Sequence, residues 1–546
     1  MRDKAIITSA LPYSNGEIHI GHIASTYLPA DVTTRFLKQR GVNVYYICAS
    51  DDFGTPILIK SEQENKNPKQ YVDHWNKQHL NDFKAVDIKF DFFDSTSTQE
   101  HEKFVQYIFT KLYKQGHIYK SKIIQFYCKT DKKFLPDRYV IGKCPYCNSD
   151  DQYSDLCEQC GRIPKKINNP KCVLCGESPI KKETEHYFFK LNKFSSRLSI
   201  WLKNNTNLQI DVKKYVQNWI KNGLIDWDIA RDIKWGISIP INNSDQVFYG
   251  WFDNHLAYIS SAIKFLDKQG LDGKKFWNSA DIYHFIGKDI IYHHYLFLPA
   301  IRLGINEEYK LPDYIPTRGH LKLHNKKLSK SRNWQISIKQ FLAEYPADYL
   351  RFYLTLITQY SQDDLNFNWE EFATIINSEL IGNIGNFINR VLKLTDSKYH
   401  LKIPTPNKFD DMDNTIMNKI NQINKKFEIF MIQNNLDKGL KCILQTSALL
   451  NQYFQHKEPW KNDSNSDNCI FISLNAIANI SIMLYPFLPT TAQKIWKQLN
   501  INAKMIEKNN KTNIIISGQN IEKPSILFTK IEKEQIQNNI SQIKDV

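Results

Sequence analysis

Ala5-Ile6-Ile7-Thr8-Ser9-Ala10-Leu11, Pro12-Tyr13-Ser14-Asn15-Gly16 and His19-Ile20-Gly21-His22 come in close succession at the start of this 546-residue chain. The first run is short and apolar and reads as a strand. The second is built from strong turn formers, and a helical apolar pattern begins near Ile23. The two histidines therefore stand where a strand ends and a helix begins, at the carboxyl edge of an expected parallel sheet. Doubly wound sheets bind nucleotides at that edge, with phosphate near the positive end of a helix. Alone, the His-x-x-His pattern fits a structural or adventitious metal pair equally well. A second motif far down the chain, Lys327-Leu328-Ser329-Lys330-Ser331, tips the balance towards phosphate.

The texture of the chain supports a sheet built in two halves. Residues 1–115 alternate strand-like runs (5–11, 42–49) with helical patterns (23–40, 99–115), the mark of a parallel α/β half-domain. Residues 116–226 switch to short strands, turns and cysteine pairs and read as an inserted module. The α/β pattern returns over 227–319, with a strand-like run at 282–286. Residues 320–380 carry the second lysine motif, and 381–546 are helix-patterned almost throughout.

A formal charge of +15 and a pI near 9.0 favour a polyanionic partner such as nucleic acid. The pervasive Lys, Asn and Ile content accounts for part of that excess. The first residues lack the apolar core and cleavage site of a secretion signal. No apolar run reaches the roughly 20 residues of a membrane span; the most apolar late stretch, 476–489, is broken by Asn479, Ser481 and Pro486. The expected location is cytoplasmic, without membrane attachment.

Six of the ten cysteines fall in Cys-x2-Cys pairs, which without a secretion signal points to metal ligation rather than disulfides. Cys144, Cys147, Cys157 and Cys160 have the spacing of a four-thiolate zinc knuckle, a closed shell with no open position, hence structural Zn2+. Cys172 and Cys175 form a third pair whose nearest complements are Cys128 and Asp131, a candidate second zinc site. Cys48, Cys442 and Cys469 are isolated thiols.

Taken together, His19-Ile20-Gly21-His22 and Lys327-Leu328-Ser329-Lys330-Ser331 resemble the signature pair of class I aminoacyl-tRNA synthetases. Ala10-Leu11-Pro12-Tyr13-Ser14-Asn15-Gly16, Phe134-Leu135-Pro136-Asp137-Arg138 and Trp251-Phe252-Asp253 narrow the resemblance to the methionyl-tRNA synthetase family, in that family's order over nearly the whole chain. The resemblance implies an α/β Rossmann-like catalytic domain with an inserted zinc-knuckle module, followed by an all-α anticodon-binding helical bundle. It implies a ligase that joins methionine and ATP into methionyl-adenylate plus pyrophosphate. The methionine then passes to the terminal adenosine of initiator and elongator tRNA for protein synthesis.

Roles follow position by position. The implied catalytic residues are His19, Gly21, His22, Lys327 and Lys330. ATP, brought with Mg2+, would meet His19, His22, Asp289 and Lys330. Gly21, having no Cβ, would let the adenine ring approach the backbone. Asp289 equally fits a helix N-cap, and Arg231 fits either a substrate neighbour or an ion pair. Methionine would lie among Leu11, Tyr13, Asp51, Trp251, Tyr258, Ile290 and His294. Asp51 suits the ammonium, the aromatics suit sulfur, and Tyr13 or His294 suits a hydrogen bond near the thioether. Asn254-His255 departs from the Ala-Pro common after the family's Trp-x-Asp and leaves that wall open. Asn386, Arg390 and Trp460 match anticodon-contacting positions, with base-edge hydrogen bonds from the first two and stacking from the third. The chain stops near the end of that bundle, so a monomer is expected. Two rivals remain: another class I synthetase, such as a leucine type, and a zinc-ribbon RNA-binding protein without catalysis.

Overall fold

The computed structural model describes residues 2–154, 157, 159–160, 162, 164, 166–241, 244–328, 334–461, 466–502 and 515–544. Ser329, Lys330 and Ser331 of the lysine motif lie outside the described residues.

Five parallel strands lie side by side in the order Thr317–Arg318, Asp281–Gly287, Lys4–Ser9, Asn43–Ser50, Phe92–Ser95. Lys4–Ser9 sits in the middle, with Ile6 opposite Ile282 on one side and Tyr45 on the other. The chain builds outward to Phe92–Ser95 and then returns to the opposite side. That reversal creates a switch point at the carboxyl ends of Lys4–Ser9 and Asp281–Gly287, where such sheets open a crevice. The inner strands are buried on both faces, hence their near-continuous apolar runs.

The helix after the first strand is not uniform. Its first turn, Ile20–His22, is α-helical, Ile23–Tyr27 is wound as a π-helix, and Leu28–Gln39 is again α-helical. Further π segments occur at His293–Phe297 and Ile376–Gly385. A 3.6-residue sequence period does not reveal them, and such wide turns tend to occur at functional sites.

The insertion differs from the short-strand texture expected of it. Strands Ile118–Cys128 and Ile180–Phe189 pair antiparallel along their length, Ile118 opposite Phe189 and Tyr127 opposite Ile180. Their alternation is obscured because both faces of the outer half meet solvent; Ile124 is 71% exposed. At the tip, strands Val140–Lys143, Gln152–Tyr153 and Asn168–Cys172 form a small sheet. Helices Ser195–Asn204 and Ile210–Lys221 then return to the body. Leu198, Leu202, Val212 and Val216 share one core with Ile47 and Ile282 of the parallel sheet.

Helices Asn386–Tyr399, Asp411–Ile432, Leu436–Lys457, Ser466–Leu484 and Pro489–Gln498 make up the C-terminal bundle. Ser466–Leu484 is long and apolar enough to span a membrane by composition, but its apolar side chains fill the bundle core. That core runs without a break into the other face of the parallel sheet. Arg351, fully buried, crosses the junction: it donates to Asp31 Oδ2 (2.7 Å), to Phe487 O (2.6 Å) and to Val86 O (3.1 Å).

Candidate functional site

A cavity of about 350 Å³ opens at the switch point. Its walls come from the turn after the first strand, the helix start at His19 and His22, and Asp51 beyond the second strand. Gly287–Ile290, the Trp251–Tyr258 segment and Lys327-Leu328 complete them. Thus Leu11, Tyr13, His19, Gly21, His22, Asp51, Trp251, Tyr258, Asp289, Ile290, His294 and Lys327, drawn from across the sequence, line one space. The backbone joins the two motifs. Ile20 N–H donates to Ile336 O (3.0 Å) and Ile338 N–H to Ile18 O (3.3 Å), so the segment after the lysine motif lies along the histidine turn.

The histidine pair is held by its own backbone. Gly21 N–H donates to His19 Nδ1 (3.1 Å), and His19 N–H donates to His22 Nδ1 (3.1 Å), a reciprocal helix cap. The rings stack at 3.7 Å. Because each Nδ1 accepts, the proton of each neutral ring sits on Nε2, which makes Nε2–H the donor edge. The Leu328 side chain covers Gly21. Lys327 is exposed at the cavity edge on strand Lys326–Lys327.

At the other end, Asp51 is pinned to the opening turn: its N–H donates to Pro12 O (2.9 Å) and its carbonyl accepts from Ser14 N–H (3.0 Å). Asn254 Nδ2 donates to Asp51 Oδ2 (3.1 Å), while Asp51 Oδ1 has no partner. Burial first, and Asp253 second, push the Asp51 carboxyl well above its ordinary range. A cation at Oδ1 would answer both facts. The neighbouring Asp52 is structural, accepting from Ser14 (2.6 Å), Ser97 (2.7 Å) and Asn76 (3.2 Å).

Both nitrogens of His294 are engaged. Nδ1 donates to Ile290 O (3.0 Å), since a carbonyl can only accept. Burial lowers its pKa to about 4, so the ring is neutral and Nε2 accepts from the Tyr258 hydroxyl (2.9 Å). The thioether hydrogen bond considered for His294 therefore has no N–H left to make it in this arrangement. Trp251 lies flat on His293 at 4.0 Å. His255 is buried beside His294, with ring centroids 4.9 Å apart.

Asp289 lies at the rim on the short turn Lys288–Ile290, hydrogen-bonded to His320 Nε2 (2.9 Å), and does not cap a helix. Arg231 lies away from the cavity, 3.4 Å from Asp228 and with its guanidinium 3.7 Å from the Tyr249 ring centroid. The sequence reading passed over His320 and did not assign Asn254 a contact. His320 was findable as the polar residue just past a strand end. Asn254 was not, because its partner Asp51 is fixed only by the fold.

Two metal-competent clusters sit at the tip of the inserted arm. Cys144, Cys147, Cys157 and Cys160 bring their sulfurs within 4.8 Å of one another, with Cys144–Cys160 at 3.8 Å and Cys147–Cys157 at 3.6 Å. Zn–S bonds of about 2.3 Å in a tetrahedron require sulfurs about 3.8 Å apart. Cys128, Asp131, Cys172 and Cys175 form the second cluster, with Cys128–Cys175 at 3.5 Å. Asp131 Oδ2 stands 3.0 Å from Cys128 Sγ and 3.1 Å from Cys172 Sγ. Both donor sets fit Zn2+.

In the bundle, Asn386 and Arg390 stand one turn apart on helix Asn386–Tyr399, directly after the π segment. The Arg390 guanidinium lies 5.9 Å from the Trp460 ring centroid and donates to Gln455 Oε1 (3.0 Å). Trp460 is 41% exposed.

Comparison with known proteins agrees with this layout. Residues 5–392 match the family model of class I tRNA synthetases of the methionine type, and residues 403–544 match the anticodon-binding domain of methionyl tRNA ligase. The methionine–tRNA ligase of Methanopyrus kandleri is 37% identical over 547 residues, 98% of this chain and 81% of that protein. That of Pyrococcus abyssi is 37% identical over 554 residues, 97% and 76%. The solved Mycobacterium tuberculosis methionyl-tRNA synthetase in complex with methionyl-adenylate shares the fold, with a TM-score of 0.80 at 22% identity over 96% of this chain and 99% of that one. With its two signature motifs facing one cavity and family matches covering both its sheet and its bundle, the chain belongs to the methionyl-tRNA synthetases of class I.

Proposed function

We propose that this chain activates methionine with ATP, forming methionyl-adenylate and pyrophosphate, and then esterifies the terminal adenosine of its tRNA with the methionyl group. The carboxylate of methionine is already a nucleophile, so catalysis consists of placing it against the α-phosphate and stabilising charge there and on pyrophosphate. His19 and His22 present Nε2–H to phosphate oxygens. Lys327, with Lys330 of the same motif, supplies cations to the leaving pyrophosphate, and Mg2+ accompanies ATP. Asp289 at the rim accepts from ribose hydroxyls. Asp51 takes the ammonium at its unpartnered oxygen, while Leu11, Tyr13, Trp251, Tyr258, Ile290 and His294 enclose the side chain.

Zinc at Cys144, Cys147, Cys157 and Cys160, and a second ion at Cys128, Asp131, Cys172 and Cys175, would hold the tip of the arm folded. Asn386, Arg390 and Trp460 read the anticodon of initiator and elongator tRNA, and the chain acts as a monomer. Seven free cysteines gathered into two metal-competent clusters suit the reducing cytoplasm.

The observation that carries this reading is the meeting of His19, His22 and Lys327 with Asp51 and Tyr258 in one cavity at the switch point. Amino-acid-dependent ATP–pyrophosphate exchange across an amino-acid panel tests it. Exchange is expected with methionine. Exchange with leucine alone would replace it with a leucine type, and no exchange at all would favour a binding protein.

A further inference from the structure

Helix Ile210–Lys221 buries Val212 and Val216, and along the edge of that buried face it carries Tyr215 and Trp219, one turn apart, with Trp219 resting partly on the same core. Their rings meet with centroids 4.3 Å apart, and Trp219 meets Tyr292 edge-on at 4.9 Å. Tyr215 is 47% exposed, and Trp219 and Tyr292 are half-buried. Lys214, Asn218 and Lys221 are exposed on the outer side of the same helix, next to Tyr215.

The helix is fastened to the rim of the cavity. Gln209, just before it, donates to Thr317 O (3.1 Å) and accepts from Thr317 N–H (2.8 Å), at the end strand of the sheet. Asp211 accepts from Gln362 Nε2 (3.0 Å), whose carbonyl accepts from Lys288 Nζ (3.3 Å) beside Asp289. From Tyr292 the rings continue inward through His293 (6.5 Å) to Trp251, stacked on it at 4.0 Å and lining the cavity. Aromatic rings, edge-on at the Trp219–Tyr292 and Tyr292–His293 steps, thus run from solvent to the site where an aminoacyl group would be transferred.

An exposed ring braced by two half-buried ones, with lysines on the same helix, suits unpaired nucleotides: any base stacks on a ring, and ammonium groups match the phosphates. A paired stem could not follow a track of single rings into a narrow cavity. We propose that Tyr215, Trp219 and Tyr292 form a stacking platform for the unpaired 3′-terminal nucleotides of the tRNA and lead the terminal adenosine to the cavity. The proposal rests on the synthetase reading above.

The test uses the full chain with Tyr215→Ala, Trp219→Leu and the conservative Trp219→Phe. Methionine-dependent exchange, which needs no tRNA, is expected to stay within about twofold of the parent and reports folding of each variant. Charging, as kcat/KM for tRNA, is expected to fall about tenfold in Tyr215→Ala and Trp219→Leu, the loss of roughly one stacked base. Trp219→Phe should recover most of it. The parent protein should bind intact tRNA more tightly than tRNA trimmed of its unpaired 3′ nucleotides, and the two damaging variants should lose that preference. Normal exchange with undiminished charging overturns this proposal alone, as does equal weakening for intact and trimmed tRNA, which would assign the patch to another partner. A parent protein without methionine-dependent exchange overturns the synthetase reading and this proposal with it.

Discussion

Leu328, within the lysine motif, lies directly over Gly21 of the histidine motif: a methyl group added at Gly21 would stand 2.5 Å from Leu328 Cδ1 and 3.0 Å from the His19 ring. The two motifs are therefore in side-chain contact, not merely on facing walls. Gly21→Ala should displace the start of the lysine loop and tilt the His19 ring. Misplacement of this kind lowers rates about a hundredfold, so exchange should fall by that order while tRNA binding is kept. Leu328→Ala added to Gly21→Ala should restore part of the loss. Full activity in Gly21→Ala would show that the contact plays no part in activation.

The Asp51 carboxyl lies well above its ordinary range because of burial and then Asp253. The free enzyme thus holds it protonated at pH values where an exposed aspartate is ionised. Ammonium binding needs the charged form, so methionine KM should fall as pH rises through the raised Asp51 value of the free enzyme. For the empty protein the sign is opposite. A raised folded pKa favours the fold at low pH, and that contribution disappears as pH rises through the folded value. Asn254→Ala removes the N–H given to Asp51 and should shift the KM profile to higher pH. A flat KM profile in both proteins would contradict the assigned role.

The central strands were legible because a buried parallel sheet writes unbroken apolar runs: 42–49 overlaps strand Asn43–Ser50, and 282–286 lies within strand Asp281–Gly287. The meeting of His19 with Lys327 was legible only through resemblance, since no local pattern links residues so far apart. The long arm Ile118–Cys128 was hidden because its residue types do not follow its alternating burial: Ile124 stands at an exposed position, Ser121 and Gln125 at less exposed ones. The Nε2–H donor edge of His19 and His22 was equally invisible, because it depends on backbone N–H groups that point inward only once the helix starts at Ile20. Asp131 was findable by its spacing from Cys128, but its place between two thiols needed the turn that brings Cys172 alongside.

Two complete donor sets predict two zinc ions per chain. Cys160→Ser and Asp131→Ala should each lower the metal content by one ion, measured by elemental analysis of the purified protein. Because closed sites of this kind contribute folding energy directly, both variants should also melt earlier and become more sensitive to proteolysis between the arm strands. Asp131→Cys should retain both ions. One zinc in the parent protein and no change in Asp131→Ala would reduce the second cluster to hydrogen-bonded thiols.

Arg351 holds the catalytic sheet to the bundle. Its guanidinium is fully buried and reaches Asp31 on one side and the carbonyls of Pro486 (3.0 Å) and Phe487 (2.6 Å) on the other. Arg351→Met keeps the volume but leaves those carbonyls unanswered and Asp31 with Arg35 (2.7 Å) and the Lys89 N–H (3.2 Å). Breaking such a buried group costs about 3 kcal/mol or more, read as a lower urea midpoint. Burial raises the Asp31 carboxyl, but Arg35 first and Arg351 next overcome that and hold it below its ordinary value. A depressed carboxylate stabilises the fold at neutral pH and loses that contribution as pH falls through its folded value. In Arg351→Met that value rises, so acid unfolding should begin at a higher pH than in the parent. An unchanged urea midpoint together with an unchanged acid transition would mean that the apolar core alone holds sheet and bundle together.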